Sequence, residues 1–349
     1  MTDTRHPIGS GATYEGSGVS IAAGEAAVDL MKPFTSRTKR PEVVGGIGGF
    51  ASLFRLPLHR YREPLLASST DGVGTKVAIA QAMDVHNTIG IDLVAMVVDD
   101  LVASGAEPLF LQDYIACGKL EPQRIASIVS GIADGCVLAG CALVGGETAE
   151  HPGLMDPNDY DLAATGVGVV EADEVLGPDR IRAGDVVLGL GSSGLHSNGY
   201  SMVRHVLLDI ARLPLDGHVE EFGRTLGEEL LEPCRIYALD CLAVMRETDV
   251  HAYAHITGGG LANNLARVIP DGLTGAGQVA ASYFEWVQGL QQFLWTSREV
   301  YAQLDRLAAD AARQALQIAD ARRLSLRAGV LVLAVGRVVE AIVARGIYP

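Results

Sequence analysis

The chain has 349 residues, 48% of them hydrophobic, with 41 glycines and a formal net charge of −15. Its length suggests two domains and a sizeable core. The acidic balance excludes a basic nucleic-acid-binding face, and no apolar run reaches the roughly 20 residues of a membrane span.

The N-terminus lacks the basic and apolar regions of a secretory leader. Five scattered cysteines, with no C-x-x-C pair, argue for reduced, buried thiols in a cytoplasmic protein and against zinc. Residues 1–20 are polar and Gly/Ser-rich, and read as mobile or as a cover for a cleft. A helix is expected over 22–35, then a Gly-rich loop at 45–50. Pro64 opens a short apolar run, followed at 69–76 by Ser-Thr-Asp-Gly-Val-Gly-Thr-Lys. The glycines let backbone N–H groups approach an anion; Asp71 suits a metal ion and Lys76 a phosphate. Walker A spacing is absent, and alone such a turn is more often a tight connection.

Apolar spacing predicts a buried helix over 91–103, which contains the adjacent acids Asp99 and Asp100. Buried acids are costly without a cation. A strand is expected over 109–116, a helix over 123–138 and a buried strand over 163–170. Gly145-Gly146-Glu147 follows an apolar run and reads as a Gly-rich turn carrying a carboxylate. Asp71, Asp99 or Asp100, and Glu147 form an oxygen-only set that suits Mg²⁺ bridging phosphates. Glu150 and His151 read as plain loop residues.

A turn-rich linker at 177–180 sets a domain boundary near 172–182. It separates a domain over 21–175 from one over 176–349. Beyond it, 185–190 reads as an apolar strand, and 201–213 and 235–247 as helices. Residues 191–200, Gly-Ser-Ser-Gly-Leu-His-Ser-Asn-Gly-Tyr, would cradle an anion such as a sugar phosphate at a helix start. His196 there suits a general acid/base or a hydrogen-bonding clamp. Thr257 before Gly258-Gly259-Gly260 caps a helix whose first turn is open to a ligand or packed tightly on a strand. The alternation of elements in both halves indicates α/β (α+β) domains with mixed sheets.

These segments, in this order and spacing, resemble the aminoimidazole ribonucleotide synthetases, also called phosphoribosylformylglycinamidine cyclo-ligases. The resemblance is carried by residues 40–50, 69–76, 88–96, 105–110 and 113–119, and by the Glu147, His196 and Thr257 loops. It spans about residues 14–273. It implies a two-domain ATP-binding synthetase fold, with the N-terminal sheets of a homodimer joined into a barrel and α/β C-terminal domains outside. The implied reaction is ATP-dependent closure of formylglycinamidine ribonucleotide to aminoimidazole ribonucleotide in purine biosynthesis, releasing ADP and phosphate. ATP and Mg²⁺ are the implied cofactors, with neither nucleic acid nor membrane as partner.

Carried over residue by residue, Asp71, Gly72, Gly74, Thr75, Lys76 and Gly146 face ATP. Asp71, Asp100 and Glu147 hold the metal. Ser197, Asn198, Thr257 and Gly258 face the substrate, and His196 and Lys32 are catalytic. Three departures stand out. Ser20 replaces a usual Asp, and Asp99 a common Asn. After Gly272 the pattern fades: residues 280–323 read as one or two amphipathic helices, and 326–332 as the best counterpart of a missing strand. The rivals are selenophosphate synthetase, thiamine-monophosphate kinase, the hydrogenase-maturation dehydratase, and an inactive dimeric nucleotide-binding module. A reactive N-terminal Cys would favour the first of these and a C-terminal Cys tail the third; neither is present.

Overall fold

The structure, a computed structural model, describes residues 13–46, 48–182, 185–269, 297–324, 329 and 332–333. The chain divides into two compact units: Met1–Leu176 with Val186–Val250, and Gly177–Asp185 with His251–Pro349.

In the first unit, helix α1 (Ile21–Arg37) starts at Ser20, whose hydroxyl accepts the Ala23 N–H at 3.2 Å. Ser20 thus supplies the N-cap that an Asp would supply. The Ser20 N–H donates to Glu150 Oε2 at 2.7 Å, and the Leu120 N–H to Glu150 Oε1 at 2.7 Å. Glu150 is therefore a brace between segments rather than a plain loop residue. Two short strands, β1 (Val43–Val44) and β2 (Leu53–Phe54), pair antiparallel.

The main elements follow as β3 (Pro64–Gly72), α2 (Val77–Met83), α3 (Ile89–Ala103), β4 (Glu107–Cys117), α4 (Pro122–Ala139), β5 (Ala142–Glu150) and β6 (Tyr160–Glu171). The four long strands form one mixed sheet in the order β3-β6-β4-β5, with only β4 and β5 parallel. It is an open sheet, and no closed barrel forms among the described residues.

Helix α3 packs on β3, β6 and α4, and α1 on α4 and β5. Twelve of the 15 residues of α3 are buried, which explains its nearly continuous apolar sequence. Gly90 and Gly131 make the α3–α4 crossing possible. A Cβ on Gly90 would overlap the Ile132 backbone N, and one on Gly131 the Asn87 carbonyl oxygen.

Two expected turns are strand instead. β3 runs through Gly72, so the first half of the 69–76 segment is ladder, with Asp71 opposite Ala164. β5 runs through Glu150, so Gly145-Gly146-Glu147 lies within a strand, opposite Gln112, Asp113 and Tyr114. The glycines there serve close packing: a Cβ on Gly146 would overlap the Asp113 carboxylate.

Asp113 is half-buried as a residue, yet burial pushes its carboxyl up to about 7. The folded carboxyl keeps its proton while the unfolded one ionises near its ordinary value, so stability falls as pH rises from about 4 to 7. Asp113→Asn should therefore raise Tm more at pH 8 than at pH 4.5. Thermal melts of both proteins at the two pH values check this.

Beyond Leu176, the expected strand at 185–190 is not one. Val186, Val187 and Leu188 are 80%, 70% and 83% exposed, and they enter no ladder among the described residues. An apolar run provides strand propensity, but a strand also needs a partner for its backbone. The expected helix over 201–213 is α5 (Tyr200–Arg204) continuing into a π turn at His205–Ile210. A short hairpin of β7 (His218–Val219) and β8 (Arg224–Thr225) leads into α6 (Leu226–Leu230), then α7 (Ala238–Glu247).

In the second unit, α8 (Gly260–Leu265) follows the Thr257 turn. A 26-residue helix, Ser297–Arg322, occupies the end of the expected amphipathic stretch. It buries Ala315 and Ala319, and Gly329 fits only because it lacks a Cβ against Ala315 and Ala319. The stretch 270–296 and most of the expected strand 326–332 lie outside the described residues.

Candidate active site

A cleft of about 490 Å³ opens at one end of the main sheet, within the first unit. Its walls come from four stretches of sequence. Asp71 and Gly72 end β3, and Val73, Gly74 and Thr75 form the turn into α2. Asp161, Leu162 and Ala163 begin β6, and Met96 projects from α3. Residues 197–201 form the opposite wall.

The β3 turn has the conformation an anion loop needs. Gly74 has φ +75°, left-handed backbone that favours glycine, with no atom within 4 Å of where a Cβ would stand. Backbone at that position is open to a ligand. Asp71 Oδ1 accepts the Gly72 N–H at 2.7 Å, which fixes the carboxylate at the strand end. Gly199 opposite has φ +84°. Thr75 Oγ1 and Ser201 Oγ lie 3.0 Å apart and join the two turns at the rim.

Six of the sequence-expected residues therefore meet in one place: Asp71, Gly72, Gly74, Thr75, Ser197 and Asn198. Ser197 is 2% exposed and its hydroxyl is 3.3 Å from Cys234 Sγ, while Asn198 Nδ2 lies 3.5 Å from Met96 Sδ. Both side chains thus shape the wall from behind.

His196 is next to them, with φ +60°. Its Nε2 accepts the Ser193 N–H at 3.2 Å. The ring is 6.1 Å from that of Tyr237.

Lys76 does not face a phosphate. Its side chain is 0% exposed, and Nζ donates to Asp92 Oδ1 at 2.9 Å and to the Glu232 carbonyl at 2.7 Å. Burial pushes the Asp92 carboxyl upward, opposed by the Lys76 ammonium and the Cys234 N–H. Nor is Lys32 at the cleft: it is exposed on α1 and paired with Asp29 at 2.6 Å.

The expected metal set does not assemble. In the ladders, Gly72 pairs with Ala163, Ala163 with Tyr114, and Tyr114 with Glu147. Glu147 is thus three strand spacings, roughly 14 Å, from the β3 end that carries Asp71. Among the described residues no group of three His, Cys, Asp or Glu is arranged to hold a metal. Asp100 Oδ2 accepts from Ser69 Oγ at 3.1 Å. Gly146 packs against Asp113, not at the cleft. Asp99, 7% exposed, accepts the Tyr237 N–H at 3.0 Å, a role an Asn oxygen would fill equally.

In the second unit, the Thr257 hydroxyl is 3.2 Å from Asn264 Oδ1 rather than on an α8 N–H. Asn264 Nδ2 donates to the carbonyls of Thr257 at 3.3 Å and Gly260 at 2.8 Å. These bonds set the turn that includes Gly258.

Sequence reasoning missed Asp161, the second carboxylate of the cleft, because nothing in its polar neighbourhood separates it from a loop aspartate. It also missed that the Glu232 carbonyl and the Cys234 N–H, both backbone groups, are the partners of Lys76 and Asp92.

The model of the AIR synthase related protein N-terminal domain matches residues 56–170, and that of the C-terminal domain residues 182–340. The second match runs well beyond Gly272, where the recognisable motifs stop. A phosphoribosylformylglycinamidine cyclo-ligase from a Geobacillus species is 55% identical over 260 residues, 74% of this chain and 75% of that protein. One from an Anaeromyxobacter species is 56% identical over 261 residues, with the same shares. Among solved structures, thiamine-monophosphate kinase from Stenotrophomonas maltophilia has TM-score 0.47 and 22% identity, covering 66% of each chain. On two matching domain models and relatives of this identity, the chain belongs to the AIR synthase related family.

Proposed function

We propose that this chain is an ATP-dependent cyclo-ligase that closes formylglycinamidine ribonucleotide to aminoimidazole ribonucleotide in purine biosynthesis. The observation that carries the reading is the cleft. Two Gly- and Ser-rich turns, more than 100 residues apart in sequence, face each other across it beside the Asp71 carboxylate.

In this reading ATP phosphorylates the formyl oxygen of the substrate. A substrate nitrogen then attacks that carbon, phosphate leaves, and the C–N bond closes the imidazole. The chain's part is to hold and orient. Backbone N–H groups of the Val73–Thr75 turn and the rim hydroxyls of Thr75 and Ser201 suit phosphate oxygens. His196, beside the 197–201 turn, is the acid/base or hydrogen-bonding residue of this reading.

Mg²⁺ fits the donor set, since it is commonly held by one or two carboxylates together with substrate phosphates. Asp71 would be its protein ligand and would help neutralise the triphosphate. Glu147 is too distant to share that ion within one chain.

We also propose a homodimer and a cytoplasmic location. Leu66 is 60% and Tyr114 42% exposed on the sheet face away from α3, which suits a second copy of that sheet. All five cysteines are free and buried, as in a reducing compartment. No helix among the described residues is long and apolar enough to cross a membrane.

Incubation of the purified protein with formylglycinamidine ribonucleotide and MgATP should yield aminoimidazole ribonucleotide and ADP in equal amounts. ATP binding without that product would favour the inactive binding module.

A further inference from the structure

Behind the cleft lies a set of bonds that the proposed chemistry does not use. Lys76 and Asp92 are each 0% exposed in their side chains. Lys76 directly follows Thr75 of one cleft wall, and Asp92 lies one helical turn before Met96. Both reach the same distant stretch. Lys76 Nζ donates to the Glu232 carbonyl at 2.7 Å, and Asp92 Oδ1 accepts the Cys234 N–H at 2.8 Å.

The opposite wall is fastened there too. Ser193 Oγ donates to the Pro233 carbonyl at 2.6 Å, and Ser197 Oγ is 3.3 Å from Cys234 Sγ. Tyr200 OH donates to the Leu230 carbonyl at 2.6 Å, and its ring centroid is 5.5 Å from Lys76 Nζ. Residues 230–234 thus form a rail to which both turns are attached.

A buried ion pair is a poor source of net stability compared with apolar side chains of similar volume. This one also leaves Asp92 Oδ2 buried and without a hydrogen-bond partner. What the pair provides is direction: one ammonium must meet two oxygens from separate segments at once, which methylenes do not require.

We propose that the Lys76–Asp92 pair is a positioning device that sets the spacing of the two cleft turns, so that they grip the nucleotide without either residue touching it. This rests on the nucleotide reading of the cleft.

The test is the double variant Lys76→Met with Asp92→Asn, which removes both charges and keeps an acceptor for the Cys234 N–H. Its control is Ile128→Ala, a fully buried α4 residue that is part of neither the rail nor the cleft lining and whose loss lowers stability. Binding of MgATP to the wild-type protein is measured first; its absence would overturn the nucleotide reading itself. With that binding in hand, the folded double variant should show a KM for ATP raised on the order of tenfold to a hundredfold, as for displaced binding groups. kcat should change far less, and Ile128→Ala should leave KM unchanged. A double variant whose KM matches that of Ile128→Ala would overturn the proposal. If the double variant does not fold, Lys76→Gln, neutral and one bond too short to hold both oxygens at their native spacing, enters the same comparison with the same two outcomes.

Discussion

Asp92→Ala should lower folding stability by about 3–5 kcal/mol, the usual loss when one partner of a buried ion pair is removed. The reason lies in what remains. Lys76 would be left in a fully buried position with the Glu232 carbonyl as its remaining hydrogen-bond partner. The Cys234 N–H would lose its acceptor as well. Neither group reaches water, so the loss exceeds that of a surface pair, where screening leaves little to lose. Urea denaturation measures the effect, with the m value reporting whether unfolding stays two-state. A loss below about 1 kcal/mol, the scale of an exposed pair, would mean that water reaches Lys76 in solution.

Asp71→Asn should lower kcat/KM by on the order of 10²–10³-fold, the size seen when a preorganised electrostatic group is lost from a reacting site. The Asn oxygen can still accept the Gly72 N–H, a bond of 2.7 Å in the native protein, so the end of β3 should hold its shape. What is lost is negative charge at the cleft. Activity of the variant should therefore depend more steeply on Mg²⁺, with half-saturation at higher concentration, while Tm stays close to that of the native protein. Equal loss of activity and of Tm would instead make Asp71 a structural residue.

Much of the first unit is legible in the sequence. Helices α3 and α4 and strands β4 and β6 announce themselves by apolar periodicity, which burial alone imposes. The Asp71 turn and the 197–201 turn also announce themselves, because left-handed backbone at Gly74 and Gly199 leaves a glycine signature. The failures have a common cause. Gly145 and Gly146 read as a turn, yet they are glycines because neighbouring side chains occupy the space of their Cβ atoms. Lys76 reads as a phosphate ligand, yet its partners are 16 and 156 residues away. Glu147 reads as a metal ligand, yet the strand order puts two strands between β5 and β3. In each case the deciding neighbour is remote in sequence, and local pattern carries no record of it.

The burial of Lys76 also divides the amine chemistry of the chain. Lysines stand at positions 32, 39, 76 and 119, and all but Lys76 are exposed. An amine-reactive reagent at neutral pH would label the three surface amines at once and reach the fourth only when the wall behind the cleft opens. Acylation of Lys76 is therefore a built-in clock for that opening, readable by mass spectrometry on the native sequence.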